Sequence, residues 1–388
     1  MSLPADLQFI FMHSMPYTAL PDNHAEYAST WVDFPNTMYD PERGRALWQQ
    51  YLDEVVLADQ LGYDGVMLTE HHSTTHSMNS SCSVTASAVI ARTSRIRLYV
   101  AGTPINLEFP NRLAEEYAML DVLSGGRLVC SFPLGTGMEY WANAGQINPA
   151  TARARFREAV DVLVKAWTEP GPLQHAGEFF NYRYLNVWPR PYQQPHPPIY
   201  IVGSGSSETL EFAASRGFGY SVVLLPRPVQ LQAFERYRRT AREHGHAVTP
   251  DKIMYAIQPY VAETDEKAEA EARPHLEHAN YLYTRTTRRY TAPPGYVTLE
   301  EFRRRSAAPN LHARVSWPDT VASGRFLCGS PETVACTLER WIEEMGSNRI
   351  ICSLRFGDLP HWKTVKNLTL FAEEVMPRLR AASVSSHQ

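Results

Sequence analysis

The residues with the clearest chemical potential are one carboxylate and two histidines, Glu70, His71 and His72, which directly follow the apolar run 65–69. In parallel α/β folds, functional side chains commonly follow directly after a buried strand, at its C-terminal end. We predict that His71 is a catalytic residue that exchanges protons near neutral pH, and that the catalytic carboxylate Glu70 orients it. Successive strand side chains point to opposite sides, so His72 is expected to point away from the pocket.

Two other interpretations of this cluster stay open from the residues alone. A metal site needs further ligands at other strand ends, for which His13, His76 and His196 are candidates. No His-x-His pair or acidic strand end elsewhere completes a hydrolase-type ligand set, so we predict no metal ligands. Alternatively, a His–Glu pair only braces the rim of the fold. Proton exchange by a single histidine is the more economical functional interpretation.

A second candidate site is the glycine- and hydroxyl-rich segment 202–209, which links a buried strand to the start of a helix. Free backbone N–H groups and the positive end of the helix dipole suit a phosphate group there. An ordinary serine N-cap explains the same residues, because most helices can begin in this way. The residues predicted to bind the cofactor in this segment are Ser204, Gly205, Ser206, Ser207 and Thr209.

Alternating strand and helix patterns position both candidate sites. We predict eight strands, at 7–13, 65–69, 96–104, 127–132, 198–202, 220–225, 253–261 and 349–355. Helical spacing lies between and after them, at 43–61, 81–94, 111–123, 152–167, 207–216, 229–244, 266–283, 331–345 and 362–379. Eight parallel strands in alternation with helices predict an α/β fold, a (β/α)8 TIM barrel.

The chain is 388 residues long, which suits a single barrel domain over 1–388 that carries long insertions. Three stretches interrupt the alternation: 14–42 after the first strand, 169–197 before the fifth, and 284–326 after the seventh helix. Connections of this length are typical of lids or binding loops. The first leaves the C-terminal end of its strand, so we expect it to overhang the active face.

Composition excludes several classes of function. The formal net charge of −4 gives no general attraction to nucleic acid or to an anionic membrane. No apolar run approaches the roughly 18–20 residues that span a bilayer, and residues 1–8 lack the features of a signal peptide. The five cysteines are scattered without a Cys-x-x-Cys pair, which is typical of free thiols in a reducing compartment. We therefore expect a cytoplasmic protein with no nucleic-acid or membrane partner.

Several segments, taken together, carry a family resemblance. They are 64–66 running into 70–72, then 120–127, 197–201 followed by Ser206 and Thr209, 329–332 through 351, and 374–377. In this order and spacing the chain resembles the bacterial luciferase-like, flavin-dependent monooxygenases over nearly its whole length. The resemblance implies that reduced FMN, supplied by a separate flavin reductase, reacts with O2 to form a C4a-peroxyflavin. This species would oxygenate a small organic substrate, and we expect the enzyme to be a homodimer.

The resemblance also assigns residues. It places the FMN phosphate near Ser206, Ser207 and Thr209, and it gives His71 the position of a functional histidine. Near the isoalloxazine, at the end of the third strand, it places Ala101, Gly102 and Thr103.

One departure from the family lies after the fourth strand. Luciferase has a cysteine and an arginine just before a glycine there, whereas this chain has Pro133, Leu134 and Gly135. The missing arginine would help to bind the flavin phosphate, so Arg153 or Arg155 is expected to replace it, and we predict Arg153. Because the thiol is missing, we do not expect the flavin chemistry of this protein to follow that of luciferase in detail.

Alternative functions remain open. A flavin-binding protein without catalysis, a deazaflavin-dependent oxidoreductase and a metal-dependent barrel hydrolase are the competitors. We expect segments 14–42 and 284–326 to cover the pocket. The second contains arginines that would steer an anionic substrate, although a solvated surface run is the favoured interpretation. They are Arg285, Arg288, Arg289, Arg303, Arg304 and Arg305.

Overall fold

The strands form one large sheet and a separate hairpin. The computed structural model describes residues 3–142, 147–285, 290, 293, 295–300, 302–303 and 316–385. In chain order the strands are β1 Gln8–His13, β2 Gly65–Leu68, β3 Arg97–Val100, β4 Leu128–Pro133, β5 Leu173–Ala176, β6 Asn181–Leu185, β7 Ile199–Gly203, β8 Gly219–Val222, β9 Ile253–Val261, β10 Phe326–Gly329 and β11 Arg349–Cys352.

Eight of these strands close into a parallel barrel in the order β1–β2–β3–β4–β7–β8–β9–β11, and β11 pairs back with β1. The predicted (β/α)8 barrel is therefore confirmed. Each barrel strand overlaps its predicted segment, because buried parallel strands read as short apolar runs bounded by turn residues.

Helices form the outer layer. They are α1 Pro41–Gln60, α2 Cys82–Ile90, α3 Pro110–Ser124, α4 Gly137–Ala142, α5 Ala152–Thr168, α6 Ser207–Ser215, α7 Arg227–Glu243, α8 Asp265–Thr284, α9 Trp317–Ala322, α10 Pro331–Met345, α11 His361–Leu370 and α12 Met376–Ser385. The π-helical turn Phe371–Val375 joins α11 to α12. Helix α3 ends at Gly125, which adopts a left-handed φ of 67°. No helix in the described residues is long and apolar enough to cross a membrane.

The interior of the barrel is filled by the inward-facing side chains of alternate strand positions. Ile10, Met67 and Val129 belong to this buried cluster, together with Tyr99 and Tyr200. At the N-terminal end of the strands Arg349 closes the barrel. Its Nη1 donates a hydrogen bond of 2.9 Å to the hydroxyl of Tyr99, and its guanidinium lies 5.6 Å from the ring centre of Tyr200. The C-terminal end is left to hold the site.

The insertions contain elements that the sequence patterns did not predict. Segment 169–197 holds the antiparallel hairpin β5–β6. Segment 284–326 includes α9 and the start of β10, which pairs with the second half of β9. Strand β9 is longer than its neighbours, so its residues 258–261 extend past the barrel and provide a free edge for β10.

Candidate active site

His71 follows β2 at the C-terminal end of the barrel and is held by Glu139 of α4. The distance from His71 Nδ1 to Glu139 Oε1 is 2.8 Å. Glu139 is 2% exposed and also accepts hydrogen bonds from the backbone N–H and the hydroxyl of Thr136. Burial alone would raise the pKa of Glu139, but the hydrogen bond from His71, the His71 charge and the Thr136 donors outweigh it and lower that pKa. An ionised carboxylate on Nδ1 leaves Nε2 as the nitrogen through which His71 can exchange a proton.

The prediction that Glu70 orients His71 was wrong. Glu70 Oε2 accepts hydrogen bonds from the backbone N–H of Cys82 at 2.7 Å and from the hydroxyl of Thr103 at 2.9 Å. Its Oε1 lies 3.5 Å from Nε2 of His72, and this hydrogen bond is the main reason why the pKa of His72 is raised. Because β2 ends at residue 68, Glu70 turns toward the start of α2, where backbone N–H groups attract a carboxylate.

Two further rings surround His71. Trp31 and His71 form a T-shaped pair with a centroid distance of 5.5 Å, and His76 lies at the same distance from His71. Trp31 also stacks on His76 at 5.2 Å. Burial, followed by repulsion from His71, lowers the pKa of His76 to about 3, so His76 is neutral at physiological pH. Sequence analysis had considered His76 only as a metal ligand and had not singled out Trp31 or Glu139.

The start of α6 brings together the predicted phosphate-binding residues. Ser206 precedes the helix, yet its side chain caps no backbone N–H and instead donates a hydrogen bond of 2.9 Å to the hydroxyl of Thr209. The ordinary N-cap explanation therefore does not apply to Ser206. Ser204 and Ser207 are exposed beside it, and Gly205 has a φ of 86° that only glycine adopts easily.

Two arginines reach this segment from neighbouring helices. Arg153 of α5 donates a hydrogen bond of 3.4 Å to the hydroxyl of Thr209 and pairs with Glu208 at 2.8 Å. Arg236 of α7 donates to the hydroxyl of Ser207 at 2.8 Å and to the carbonyl of Gly205 at 3.4 Å. Sequence analysis missed Arg236, since nothing in the pattern of α7 shows which of its several arginines turns toward α6.

Arg155, the alternative to Arg153, makes its contacts away from the start of α6. Its Nε donates a hydrogen bond of 2.7 Å to the carbonyl of Asn106, and its guanidinium lies 4.3 Å from the ring centre of Phe180. The structure therefore places Arg153, and not Arg155, at the start of α6.

The end of β3 lies against the end of β2. Ala101 packs against the inward-facing cluster, and Thr103 is buried and donates to Glu70. A Cβ atom on Gly102 would lie 1.9 Å from the backbone nitrogen of Glu70, so only glycine fits there. The three residues that sequence analysis assigned to the isoalloxazine thus line the same rim as Glu70.

Three hydroxyl groups inside this rim are buried without a hydrogen-bond partner. They belong to Thr69, Ser131 and Ser221. Thr69 and Ser131 lie two positions after the inward-facing Met67 and Val129, and Ser221 pairs in register with the inward-facing Met254. Ser131 and Ser221 therefore face the interior of the barrel, and Thr69 directly follows the end of β2. Buried polar groups without partners are uncommon, and each is a candidate for a hydrogen bond with a ligand or water.

The described residues of segment 284–326 form hydrogen bonds with segment 14–42. Arg285 donates hydrogen bonds to the carbonyls of Ala25, at 2.7 Å, and Tyr27. Tyr290 donates to Asp33, and Tyr296 donates to the carbonyl of Gly135 at 2.7 Å.

The predicted role of the arginines in steering a substrate is untested. Arg285 serves a structural purpose, because its guanidinium binds backbone carbonyls, and Arg303 is exposed. The remaining arginines of that prediction lie outside the described residues: Arg288, Arg289, Arg304 and Arg305.

The histidines considered as metal ligands lie in separate places. His13 bonds to the buried Glu54 at 2.9 Å, and the ring of His196 stacks on Trp167 at 6.3 Å. Among the described residues no three histidine, cysteine, aspartate or glutamate side chains are grouped as a metal site would require.

Comparison with known proteins identifies the family. The family of luciferase-like monooxygenases matches residues 31–349. The oxygenase component of the flavin-dependent trigonelline monooxygenase of Acinetobacter baylyi is 25% identical over 245 residues, which cover 63% of this chain and 67% of that protein.

Two solved structures share the fold over nearly the full length of both chains. The monooxygenase RslO1 from Streptomyces bottropensis has a TM-score of 0.73 and 24% identity, with 96% of this chain and 99% of that chain covered. An F420-dependent secondary alcohol dehydrogenase has a TM-score of 0.68 and 18% identity, with 97% and 99% covered. The family match spans most of the sequence, so the chain belongs to the luciferase-like monooxygenases and is an oxidoreductase of that flavoprotein family.

Proposed function

We propose that the protein is an oxygenase component that uses reduced FMN, delivered by a separate reductase, and O2 to oxygenate a small organic substrate. The observation that carries the proposal is the donor set at the start of α6. Ser206, Ser207 and Thr209 present hydroxyls, and Arg153 and Arg236 approach from two other helices. Hydroxyls, guanidinium groups and a helix N-terminus are the donors that bind a phosphate monoester.

The C-terminal rim of the barrel also carries groups that would suit a flavin. The hydroxyls of Thr69, Ser131 and Ser221 are buried and lack protein partners, so a polar ring system at the rim would satisfy them. Ala101 beside them carries only a methyl group. Bound reduced FMN would supply the electrons that activate O2.

The task of the protein side chains is to control protons and water. The Glu139 carboxylate fixes the Nδ1–H of His71, so that Nε2 takes or gives the proton. Segments 14–42 and 284–326 cover the site, and exclusion of water protects reactive species from wasteful decay. Glu70 stays a candidate for catalysis through its hydrogen bond with Thr103, rather than through His71.

The experiment is O2 uptake by the purified protein with photoreduced FMN, across panels of aldehydes, sulfonates, amines and ketones. Reduced F420 is the matched competitor, since an F420-dependent enzyme shares the fold. We expect a substrate-dependent uptake with FMN, and tighter binding of reduced than of oxidised FMN. Tighter binding of F420 would support the deazaflavin alternative, and stoichiometric zinc without a flavin-induced change in melting temperature would contradict both.

A homodimer is part of the proposal. Apolar side chains are exposed on adjacent turns of α3, where Met119, Val122 and Leu123 are 50%, 43% and 62% exposed. Patches of this kind often mark an interface between subunits. Sedimentation equilibrium tests it, and a monomer at micromolar concentration would contradict it.

A further inference from the structure

Trp31 packs on His71, although none of the proposed catalytic or cofactor-binding roles involves Trp31. Trp31 is 2% exposed, although it lies in a long connection far from any strand centre. Its ring contacts His71 edge-on at 5.5 Å and stacks on His76 at 5.2 Å, while His76 itself lies 5.5 Å from His71. The three rings therefore contact one another pairwise, and Trp31 is the only one of them that comes from segment 14–42.

The backbone around Trp31 is held tightly to the loop that carries His71. Trp31 forms an isolated bridge with Thr74, and Val32 donates a hydrogen bond of 2.7 Å to the carbonyl of Ser73. Val32 and Ser73 both have positive φ values, of 54° and 52°. A β-branched residue rarely adopts this conformation, and such strain persists only where the surroundings enforce it.

The turn at Val32 also fixes the direction of Trp31. The N–H of Asp33 donates back to the carbonyl of Trp31, which makes Val32 the centre of a γ-turn of the rare positive-φ kind. On the far side, Met138 and Tyr290 pack against Trp31 and Val32 in one apolar cluster. Met138 directly precedes Glu139, the hydrogen-bond partner of His71. Trp31 is thus wedged between the two elements that supply the histidine and its carboxylate.

This geometry has a consequence for the imidazole. The hydrogen bond from Nδ1 to Glu139 holds the ring in one of its two flipped orientations, because a half-turn about the Cβ–Cγ bond would put Cδ2 in the place of Nδ1 and break that bond. The rings of Trp31 and His76 each lie with their centres 5.5 Å from that of His71, and packing this close opposes such a rotation. We propose that Trp31 is a positioning residue that keeps His71 in the orientation and tautomer with Nε2 free for proton exchange. The inference rests on the proposed function of His71 in oxygenation.

The test compares Trp31→Phe, Trp31→Leu and Trp31→Ala with the wild type. Phenylalanine keeps an aromatic edge, leucine keeps the site covered and apolar, and alanine removes both. Trp362→Ala is the control, because Trp362 is a tryptophan that is 58% exposed on α11. The first readout needs no flavin: ¹⁵N imidazole NMR of the free protein reports the tautomer of His71.

We expect a single Nδ1–H tautomer in the wild type, in Trp31→Phe and in Trp362→Ala, and a mixture of tautomers in Trp31→Leu and Trp31→Ala. Coupled turnover should fall about ten- to a hundredfold in the latter two variants, a part of the roughly 10²–10⁴-fold that a positioned acid or base contributes. The fraction of O2 released as hydrogen peroxide should rise in parallel.

Two outcomes separate this inference from the proposed function. A wild-type tautomer and wild-type coupling in Trp31→Leu would overturn the positioning role and leave the oxygenase assignment intact. If the wild type consumes no O2 with reduced FMN, the proposed function fails, whereas the NMR comparison still decides whether Trp31 orients His71. Should Trp31→Ala not fold, as judged by circular dichroism, Trp31→Leu and Trp31→Phe provide the comparison.

Discussion

Glu139 Oε1 lies 2.8 Å from Nδ1 of His71, although 68 positions separate the two residues along the chain. The pair joins the loop after β2 to the helix after β4, across the end of β3, which lies between these two strands. A carboxylate on one imidazole nitrogen sets which nitrogen carries the proton, and that choice decides what the ring can do.

The first prediction concerns His71. His71→Ala should spare folding and flavin binding but lower coupled turnover by about 10²–10⁴-fold, because a positioned acid or base is lost. Stopped-flow absorbance of the reduced enzyme–flavin mixture with O2, together with the yield of hydrogen peroxide, measures it. Glu139→Gln should lower coupled turnover less, since the amide oxygen can still accept the hydrogen bond from His71 although it lacks the charge of the carboxylate.

His72→Ala is the matched control for His71. His72 pairs with the buried Glu70, so its loss should lower the melting temperature more and turnover less than the loss of His71. Wild-type coupling in His71→Ala would remove the catalytic assignment.

The second prediction concerns the hydroxyls before and in α6. The double change Ser206→Ala with Thr209→Val should weaken FMN binding severely and leave riboflavin binding nearly unchanged. A hydrogen bond to a charged group contributes roughly 1.5–3 kcal/mol, and riboflavin lacks the phosphate. Anaerobic fluorescence titration with both ligands measures the difference, and equal losses for the two would show that these residues only shape the helix start.

The third prediction uses two arginines that lie two positions apart on α5. Arg153→Gln should weaken FMN but not riboflavin binding, because Arg153 contacts Thr209 at the start of α6. Arg155→Gln should leave the ratio of the two affinities unchanged and lower the melting temperature, since Arg155 bonds to Asn106 and covers Phe180. The reverse pattern would indicate that the FMN phosphate does not bind at the start of α6.

The fourth prediction concerns a buried ionic cluster behind β1. Glu54 is fully buried and accepts hydrogen bonds from Arg355 at 2.7 Å and from His361 at 2.8 Å, and it pairs with His13 at 2.9 Å. Removal of one member of a buried ion pair typically costs about 3–5 kcal/mol. Glu54→Gln should therefore lower the free energy of unfolding by about that amount in a urea titration, and a change under about 1 kcal/mol would contradict the ionic role.

The same cluster sets a dependence on pH. Burial opposes the charge of Glu54, yet its histidine and arginine partners lower its pKa from 4.5 to about 2. A carboxyl whose folded pKa is depressed contributes stability above pH 4.5 and loses it as the pH falls toward 2. Between pH 5 and pH 3 the melting temperature of the wild type should fall further than that of Glu54→Gln. If the two melting temperatures fall in parallel, the acid sensitivity comes from other groups.

Sequence patterns predicted the barrel well, because the period of a strand and of a helix is a local property of the chain. They failed where contacts depend on distant elements. Glu70 was predicted to orient His71, but side chains diverge once a strand ends, and the partner of His71 is Glu139 of α4. Arg153, which was predicted to bind the cofactor, lies beside α6, whereas the position of Arg236 depends on how α7 packs. Hairpin β5–β6 is short and half exposed, so it carries no apolar run.

Arg349, together with Tyr99 and Tyr200, closes the N-terminal end of the barrel, so the site is closed at that end. In the proposed function, reduced flavin would enter and oxidised flavin would leave through the C-terminal end of the barrel. Oxidised flavin that stays bound would then block the entry of reduced flavin, so a reductase that removes oxidised flavin from solution would raise the turnover rate.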